Sequence, residues 1–109
     1  MINLLITGPN YFNDYNAVAS KLSEIGVDKQ ECVIVTPLST GVDTMAFDYG
    51  IANNKEVIVY NIQDEDTKMN RTVSTATHAI VIWDGLDEKT HKMLQLVNAY
   101  KLKLIEIRM

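Results

Sequence analysis

Segments typical of β-strands alternate with segments typical of α-helices along the chain, and this alternation constrains the fold more than any other feature. The predicted strands are Ile2–Thr7, Cys32–Thr36, Glu56–Tyr60, Ala79–Trp83 and Leu102–Ile107. The middle three are nearly continuous apolar runs, which is typical of parallel strands covered by helices on both faces. The predicted helices cover about Asp14–Ile25, Asp43–Asn53, Met69–Ala76 and Glu88–Tyr100. The sequence therefore predicts an α/β fold: a three-layer, Rossmann-like, doubly wound sheet of about five mostly parallel strands.

The size and the composition of the chain indicate one globular domain. Its 109 residues match a common domain size, and a content of 47% hydrophobic and 22% charged residues is an ordinary globular mixture. We therefore expect a single domain over residues 1–109. The formal net charge is −4. This charge disfavours duplex nucleic acid as a partner, because phosphate neutralisation supplies most of the non-specific affinity.

The sequence carries no signal for export or for insertion into a membrane. The segment from Met1 to Gly8 has no basic flank and only a short apolar run, and no apolar stretch approaches the roughly 20 residues of a membrane span. The single cysteine, Cys32, cannot form an internal disulfide, and no C-x-x-C pair is present to bind zinc. We expect a cytoplasmic protein with no membrane partner, no metal and no cofactor.

A ligand site in such a sheet is expected beyond the carboxyl ends of the strands, where the strand order reverses. Three predicted strand-to-helix loops lie at that end, at residues 8–13, 37–43 and 84–90. Each leads into a helix N-terminus, where free N–H groups and the helix dipole favour an anion. The candidate ligand-binding residues in these loops are Gly8, Asn10, Tyr11, Ser39, Thr40, Gly41, Asp43, Asp84, Gly85, Lys89 and Thr90.

Each of these residue types has a role in such a site. Glycines permit a ligand to approach the backbone closely or allow a positive φ. Hydroxyl groups can donate hydrogen bonds to a ligand, and lysine supplies a positive charge. Asp43 can also cap the second helix. Ordinary βα turns use the same residue types, however, and neither G-x-G-x-x-G nor G-x-x-x-x-G-K-[ST] is present.

Taken together, the loop sequences resemble those of a known superfamily. The segments that carry the resemblance are Thr40-Gly41-Val42-Asp43-Thr44-Met45-Ala46, then Trp83-Asp84-Gly85, and then Thr90. In this order they resemble the SLOG superfamily, a Rossmann-like group that includes LOG-type phosphoribohydrolases and DprA-type domains. The resemblance extends over nearly the whole chain and is strongest in its small stand-alone branch. It implies a nucleotide or nucleotide-derived ligand and a homo-oligomer.

The resemblance also adds two candidate ligand residues and shows several departures. The family's Arg-Asn pair falls at Met69-Asn70, with Arg71 one step later, so Asn70 and Arg71 join the candidates. The family's Gly-Ser-Arg stands here as Gly8-Pro9-Asn10, its Gly-Gly-Ala as Pro37-Leu38-Ser39, and its Gly-Thr as Lys89-Thr90. The cation of the first motif is therefore missing, and the specificity of the pocket is expected to differ.

Three functions follow as alternatives. The first is a sensor or sequestering module that binds a nucleotide-type ligand, a role that would also suit a bacteriophage or accessory-gene protein. The second is an N-glycosidase or phosphoribohydrolase that uses Asp84, Asp87 or Glu88, although relatives carry a catalytic Glu where this chain has Met93. The third is an interaction protein with a decayed pocket and a dimer face on its outer helices. The missing Glu argues against the second alternative, and whether the chain is an enzyme stays open.

The aromatic residues near the site leave two interpretations open. Trp83 could stack on a base or pack against the last helix, whereas Tyr11 lies in a loop that should be exposed. Cys32 is expected to be a small buried residue, and Glu88 to act with the helix start rather than in catalysis. The acidic segment 64–68 is expected to be a solvated turn at the rim of the pocket.

Overall fold

A computed structural model describes residues 1–109 and confirms the predicted fold class. One sheet contains five parallel strands: β1 (Ile2–Thr7), β2 (Cys32–Val35), β3 (Val57–Ile58), β4 (His78–Trp83) and β5 (Lys103–Arg108). Four α-helices connect them: α1 (Tyr15–Glu24), α2 (Val42–Ala52), α3 (Glu65–Thr75) and α4 (Glu88–Ala99). A short 3₁₀ turn at Val27–Lys29 follows α1.

The order of the strands fixes where a ligand site can lie. The strands run β3-β2-β1-β4-β5 across the sheet, and every neighbouring pair is parallel. The chain moves outward from β1 to β3, and then α3 returns it to the other side of β1. The order therefore reverses between β1 and β4, and the crevice beyond their carboxyl ends is the general ligand position in such sheets.

Alternation along β1 divides the core into two layers. Leu4 and Ile6 face the layer that includes Val18 and Leu22 of α1, whereas Leu5 faces the layer of α3 and α4. Successive side chains of a strand point to opposite faces, so a strand of continuous apolar residues can be buried on both sides. The four helices thus cover the sheet from two sides. None of them combines the length and the apolar character that crossing a bilayer requires.

The third helix is one turn longer than the sequence indicated. It begins at Glu65 rather than near Met69, and Asp64 caps it by accepting a 2.9 Å hydrogen bond from the Thr67 N–H. The prediction that segment 64–68 is solvated was correct, since Asp64 to Thr67 are exposed, but the prediction that it forms a turn was wrong. The physical reason is that carboxylates in a first helical turn interact favourably with the helix dipole, so an acidic segment is a good helix start.

Candidate functional site

Two side-chain contacts bridge the crevice between β1 and β4. The Tyr11 hydroxyl donates to Oδ2 of Asp84 over 2.6 Å, and this contact joins the β1–α1 loop to the β4–α4 loop. The Lys89 ammonium group donates to Oδ1 of Asn10 over 2.9 Å and joins the β1–α1 loop to the first turn of α4. The structure therefore brings together Asn10, Tyr11, Asp84 and Lys89, four of the residues chosen from the sequence. In this conformation their contacts close the crevice.

Asp43 lies beneath this bridge and is fully buried. Its carboxylate accepts hydrogen bonds from the Thr7 hydroxyl at 2.6 Å and from the Lys89 ammonium group at 3.2 Å. The Ser39 N–H donates to the same carboxylate at 3.3 Å. Asp43 is thus the centre of a polar cluster that links the ends of β1 and β2 to α4.

The prediction that Asp43 caps α2 was wrong. The N-cap is Gly41, and Asp43 is the second residue of the helix, with its carboxylate turned inward. Burial raises the pKa of Asp43, while the charge of Lys89 and the hydroxyl of Thr7 oppose that shift. Burial prevails because removing a carboxylate from water costs more than this single ion pair returns.

Thr7 was missed by the sequence analysis although it holds Asp43 in place. It is fully buried at the end of β1. The available signal was a hydroxyl residue that directly follows the apolar run Leu4–Ile6 and precedes Gly8. A buried polar side chain at such a place needs a partner, and here the partner is Asp43.

Two of the glycines allow close approach by the chain's own backbone. A Cβ atom on Gly8 would lie 2.1 Å from the Ile82 carbonyl oxygen, and one on Gly41 would lie 2.1 Å from the Pro9 carbonyl oxygen. The same Pro9 carbonyl accepts the first N–H of α2, from Val42, over 3.2 Å. One of the free N–H groups at the α2 N-terminus therefore already has a hydrogen-bond acceptor within the chain. Gly85 has a φ of +87° and faces the flexible guanidinium group of Arg108.

At the start of α4, the hydroxyl expected to meet a ligand is used internally. Thr90 is fully buried, and its hydroxyl donates to Asp87 Oδ2 over 2.7 Å. The Thr90 N–H donates to the same oxygen over 3.0 Å, so Asp87 is the N-cap of the helix. Glu88 lies in the first turn and is exposed. Of the carboxylates in this loop, Asp84 is the one that faces the crevice contacts.

Asn70 and Arg71 are not brought to this cluster. Asn70 donates its side-chain amide to the Asp66 carbonyl over 2.9 Å, on the surface of α3. The Arg71 guanidinium group lies 5.7 Å from the centroid of the Tyr60 ring. Thr40 is exposed beside the cluster, and Ser39 takes part through its backbone. Two cations therefore lie near the crevice: Lys89, and Arg108, whose guanidinium group is next to Gly85 and whose charge lowers the pKa of Asp84.

The two aromatic candidates differ in exposure. Trp83 is 5% exposed and packs against Leu94 of α4, while its indole N–H donates to Glu106 Oε2 over 2.6 Å. The interpretation of Trp83 as a packing residue is confirmed. Tyr11 is 56% exposed, and its ring meets Phe12 edge-on, with 5.7 Å between centroids. Tyr11 therefore has a ring face free for a planar ligand.

The hydrogen bond between Tyr11 and Asp84 changes the acid–base properties of both groups. Accepting it lowers the pKa of Asp84, and the Leu86 N–H at 2.9 Å lowers it further. The same bond raises the pKa of Tyr11 to about 12. Asp84 is consequently ionised at neutral pH. In this state it can accept a hydrogen bond from a hydroxyl group, but it has no proton to donate as a general acid.

The position expected for a catalytic Glu is in the core. Met93 is fully buried in the layer that contains Leu5 and Val97. Cys32 is also buried, as predicted. No group of three or more His, Cys, Asp or Glu side chains is placed to hold a metal ion.

The three largest surface cavities lie away from the bridged crevice, and a smaller one of about 260 Å³ lies beside it, lined by Tyr11 and Phe12. One of the larger cavities, of about 330 Å³, is a mostly apolar groove between the end of α1 and the strands β4 and β5. Its lining includes Ile25, Val27, Ile80 and Ile105. Another lies between α3 and α4 and is lined in part by Asn70 and Lys92.

Comparison of the chain with protein-family models, with curated proteins and with solved structures finds no match.

Proposed function

We propose that the protein binds a nucleotide or a nucleotide-derived small molecule in the crevice between β1 and β4. The observation that carries the proposal is the position of the Lys89 ammonium group, which lies between the loops on either side of the reversal in strand order. The SLOG-like loop sequences support the same class of ligand. The proposed role is that of a sensor or a sequestering protein.

Lys89 can serve a ligand without losing its buried partner. Its side chain is 19% exposed and contacts Asp43 on the inner side and Asn10 on the outer side. The Asn10 amide oxygen is a neutral acceptor on an exposed residue, so an anionic group of a ligand can replace it. A charged acceptor makes a stronger hydrogen bond to an ammonium group than an amide oxygen does. We therefore place the anionic group of the ligand at the position of the Asn10 side chain.

Charges around the crevice limit how anionic the ligand can be. Lys89 is accompanied by the carboxylates of Asp43, Asp84 and Asp87. These carboxylates repel a polyphosphate more strongly than a ligand that carries one phosphate group, because the repulsion grows with the charge of the ligand. Asp84 can accept a sugar hydroxyl in place of the Tyr11 hydroxyl, and the released Tyr11 ring can stack on a base. We therefore favour a nucleoside monophosphate or a cyclic nucleotide.

Binding is tested by calorimetry and by thermal shift with nucleoside monophosphates and cyclic nucleotides. A ligand at about 100 times its dissociation constant should stabilise the protein by about 2.7 kcal/mol. Lys89→Gln should abolish binding of the phosphorylated ligand, and Tyr11→Ala should weaken it. Lys92→Gln, one turn along the same helix, is the matched control and should bind as the wild type does. Equal affinity of wild type and Lys89→Gln would contradict the proposal.

A second candidate function is that of a protein-interaction module. It is favoured by the closed state of the crevice, whose two bridging contacts leave the main cavities elsewhere. The same ligand panel separates the two functions. If no nucleotide stabilises the protein while the fold is intact by circular dichroism, the interaction function is favoured.

A further inference from the structure

Strand β5 forms a free edge of the sheet. It pairs with β4 on one side and with nothing on the other. The N–H groups of Lys103 and Met109 donate to β4-side carbonyls, those of Thr77 at 3.4 Å and Trp83 at 3.0 Å. In a parallel ladder every second residue bonds to the same neighbour. The N–H and C=O groups of Leu104, Glu106 and Arg108 therefore point outward.

The side chains of this edge divide by face. Ile105, Ile107 and Met109 lie on one face of the sheet, and Ile105 and Met109 are 49% and 44% exposed. Glu106 and Arg108 share the opposite face, where the Arg108 Nε donates to Glu106 Oε2 over 3.1 Å. The free edge thus combines unpaired backbone groups with an apolar row on one face and two opposite charges on the other.

We propose that β5 pairs antiparallel with β5 of a second copy of this chain, with the two-fold axis at Ile107. In such a pair each outward-pointing residue must face another outward-pointing residue, since only these have free backbone groups. This condition restricts the register to steps of two residues. The choice among the allowed registers is then made by the side chains.

Charge complementarity selects one register. With the axis at Glu106, this carboxylate would face the partner's Glu106, and like charges directly opposite are destabilising. With the axis at Ile105, Glu106 would face the partner's Leu104. With the axis at Ile107, Glu106 faces the partner's Arg108, and the symmetric pair repeats the contact. Each pair exchanges both of its backbone hydrogen bonds.

The apolar face is complementary in the same register. Ile107 meets the partner's Ile107, and Ile105 meets the partner's Met109, so the exposed side chains of this row contact one another. The apolar groove that contains Ile25 and Ile105 lies on the same face and continues this surface. Charged side chains on an edge ordinarily prevent pairing. Here like charges face each other with the axis at Glu106 or at Arg108, and the two opposite charges face each other only with the axis at Ile107.

The occupant that these features fit is a second copy rather than an unrelated strand. Glu106 and Arg108 are separated by one residue, and an identical antiparallel strand presents the same two charges in reverse order. The self-complementarity is thus a property of the segment itself. A two-fold pair of this kind is closed, because it uses the free edge of both copies.

The test is sedimentation equilibrium of the full chain from micromolar to near-millimolar concentration. The wild type should form a dimer. Arg108→Glu should weaken it at least about tenfold, because both pairs become repulsive. Glu106→Arg should act in the same way, and the double variant Glu106→Arg/Arg108→Glu should restore the dimer. Lys103→Glu is the matched control, since Lys103 lies outside the paired segment and should leave the affinity unchanged.

A further variant separates pairing from folding. Arg108 lies 5.2 Å from the Trp83 ring, and Glu106 accepts the indole N–H, so both positions also contribute within the monomer. Arg108→Lys keeps the charge and should keep the dimer, and thermal melts report whether each variant is folded. A folded wild type that stays monomeric at every concentration overturns the proposal. A dimer that survives Arg108→Glu overturns it as well, because its interface then lies elsewhere.

Discussion

The hydroxyl group of Tyr11 and the carboxylate of Asp84 are joined by a 2.6 Å hydrogen bond, although 73 residues separate them in sequence. Tyr11 follows β1 and Asp84 follows β4, the two strands between which the strand order reverses. The bond therefore closes the one position where a sheet of this topology is open to a ligand. Tyr11 is exposed and Asp84 is half-buried, so this bond can open by rotation of the Tyr11 side chain without a change in the core, and the Lys89–Asn10 contact must open as well.

This bond predicts a displaced tyrosine titration. Tyr11 should ionise near pH 12 instead of near the ordinary value of 10.0, because Asp84 accepts its proton in a hydrogen bond. The stabilisation from the raised pKa is present below pH 10.0 and is lost as the pH rises through about 12. Asp84→Asn should lower the pKa of Tyr11. The measurement is tyrosinate absorbance of each form minus that of its Tyr11→Phe counterpart, and an unchanged titration in Asp84→Asn would contradict the contact.

Asp43 should make stability depend on pH in the acidic range. Its folded pKa is raised above the ordinary value of 3.8, so the folded state holds this proton more tightly than the unfolded state. The resulting stabilisation is full below pH 3.8 and is lost as the pH rises through the higher folded value. Urea unfolding across this range should show the loss in the wild type and not in Asp43→Asn. Asp48→Asn, at an exposed position of the same helix, should retain it.

Gly8 should be required for folding rather than for ligand approach. Gly8→Ala should destabilise the protein by about 3 kcal/mol, because the new methyl group would collide with backbone and with Val42. Gly26→Ala is a matched comparison: it has a φ of +90° but open space around its Cβ position. It should cost about 1 kcal/mol from backbone strain alone. Chemical denaturation measures both, and equal losses would show that Gly8 is not crowded.

A carboxylate at position 93 should not be tolerated. Met93 is fully buried among apolar side chains, so Met93→Glu would bury an unpaired ionisable group and should cost about 4 kcal/mol or more. Met93→Leu, which keeps the volume, should cost less than about 1.5 kcal/mol. Thermal and urea unfolding provide the comparison. A stable Met93→Glu protein would mean that this face of α4 can turn toward the crevice.

The alternative function, that of an N-glycosidase or phosphoribohydrolase, is tested by the release of free base from nucleotides. Incubation with nucleoside monophosphates should yield no base above the buffer control, since Asp87 is held as a helix cap and the ionised Asp84 is a poor proton donor. Chromatography of the reaction mixture is the measurement. Release that is lost in Asp84→Asn or Glu88→Gln would instead identify the chain as an enzyme.

Sequence patterns were sufficient for most of the fold and for part of the site. Apolar runs such as 79–83 predicted buried parallel strands, and the loops expected at the reversal are the loops that meet there. Asn10, Tyr11 and Lys89 were chosen from their loop positions, and all three contribute to the bridge. Asn70 and Arg71 were chosen by resemblance, and the structure places them on the surface of α3.

The order of apolar and polar residues by itself determined the α/β class, the parallel strands and the end of the sheet at which polar loops gather, because burial and periodicity act locally along the chain. Only the tertiary structure decided what those loops do to one another. Asp43 turns inward to Thr7 and Lys89, and Pro9 takes the first N–H of α2. These contacts depend on which groups approach one another across the sheet. A buried charge or a buried N–H group needs a hydrogen-bond partner, and here that partner is distant in sequence.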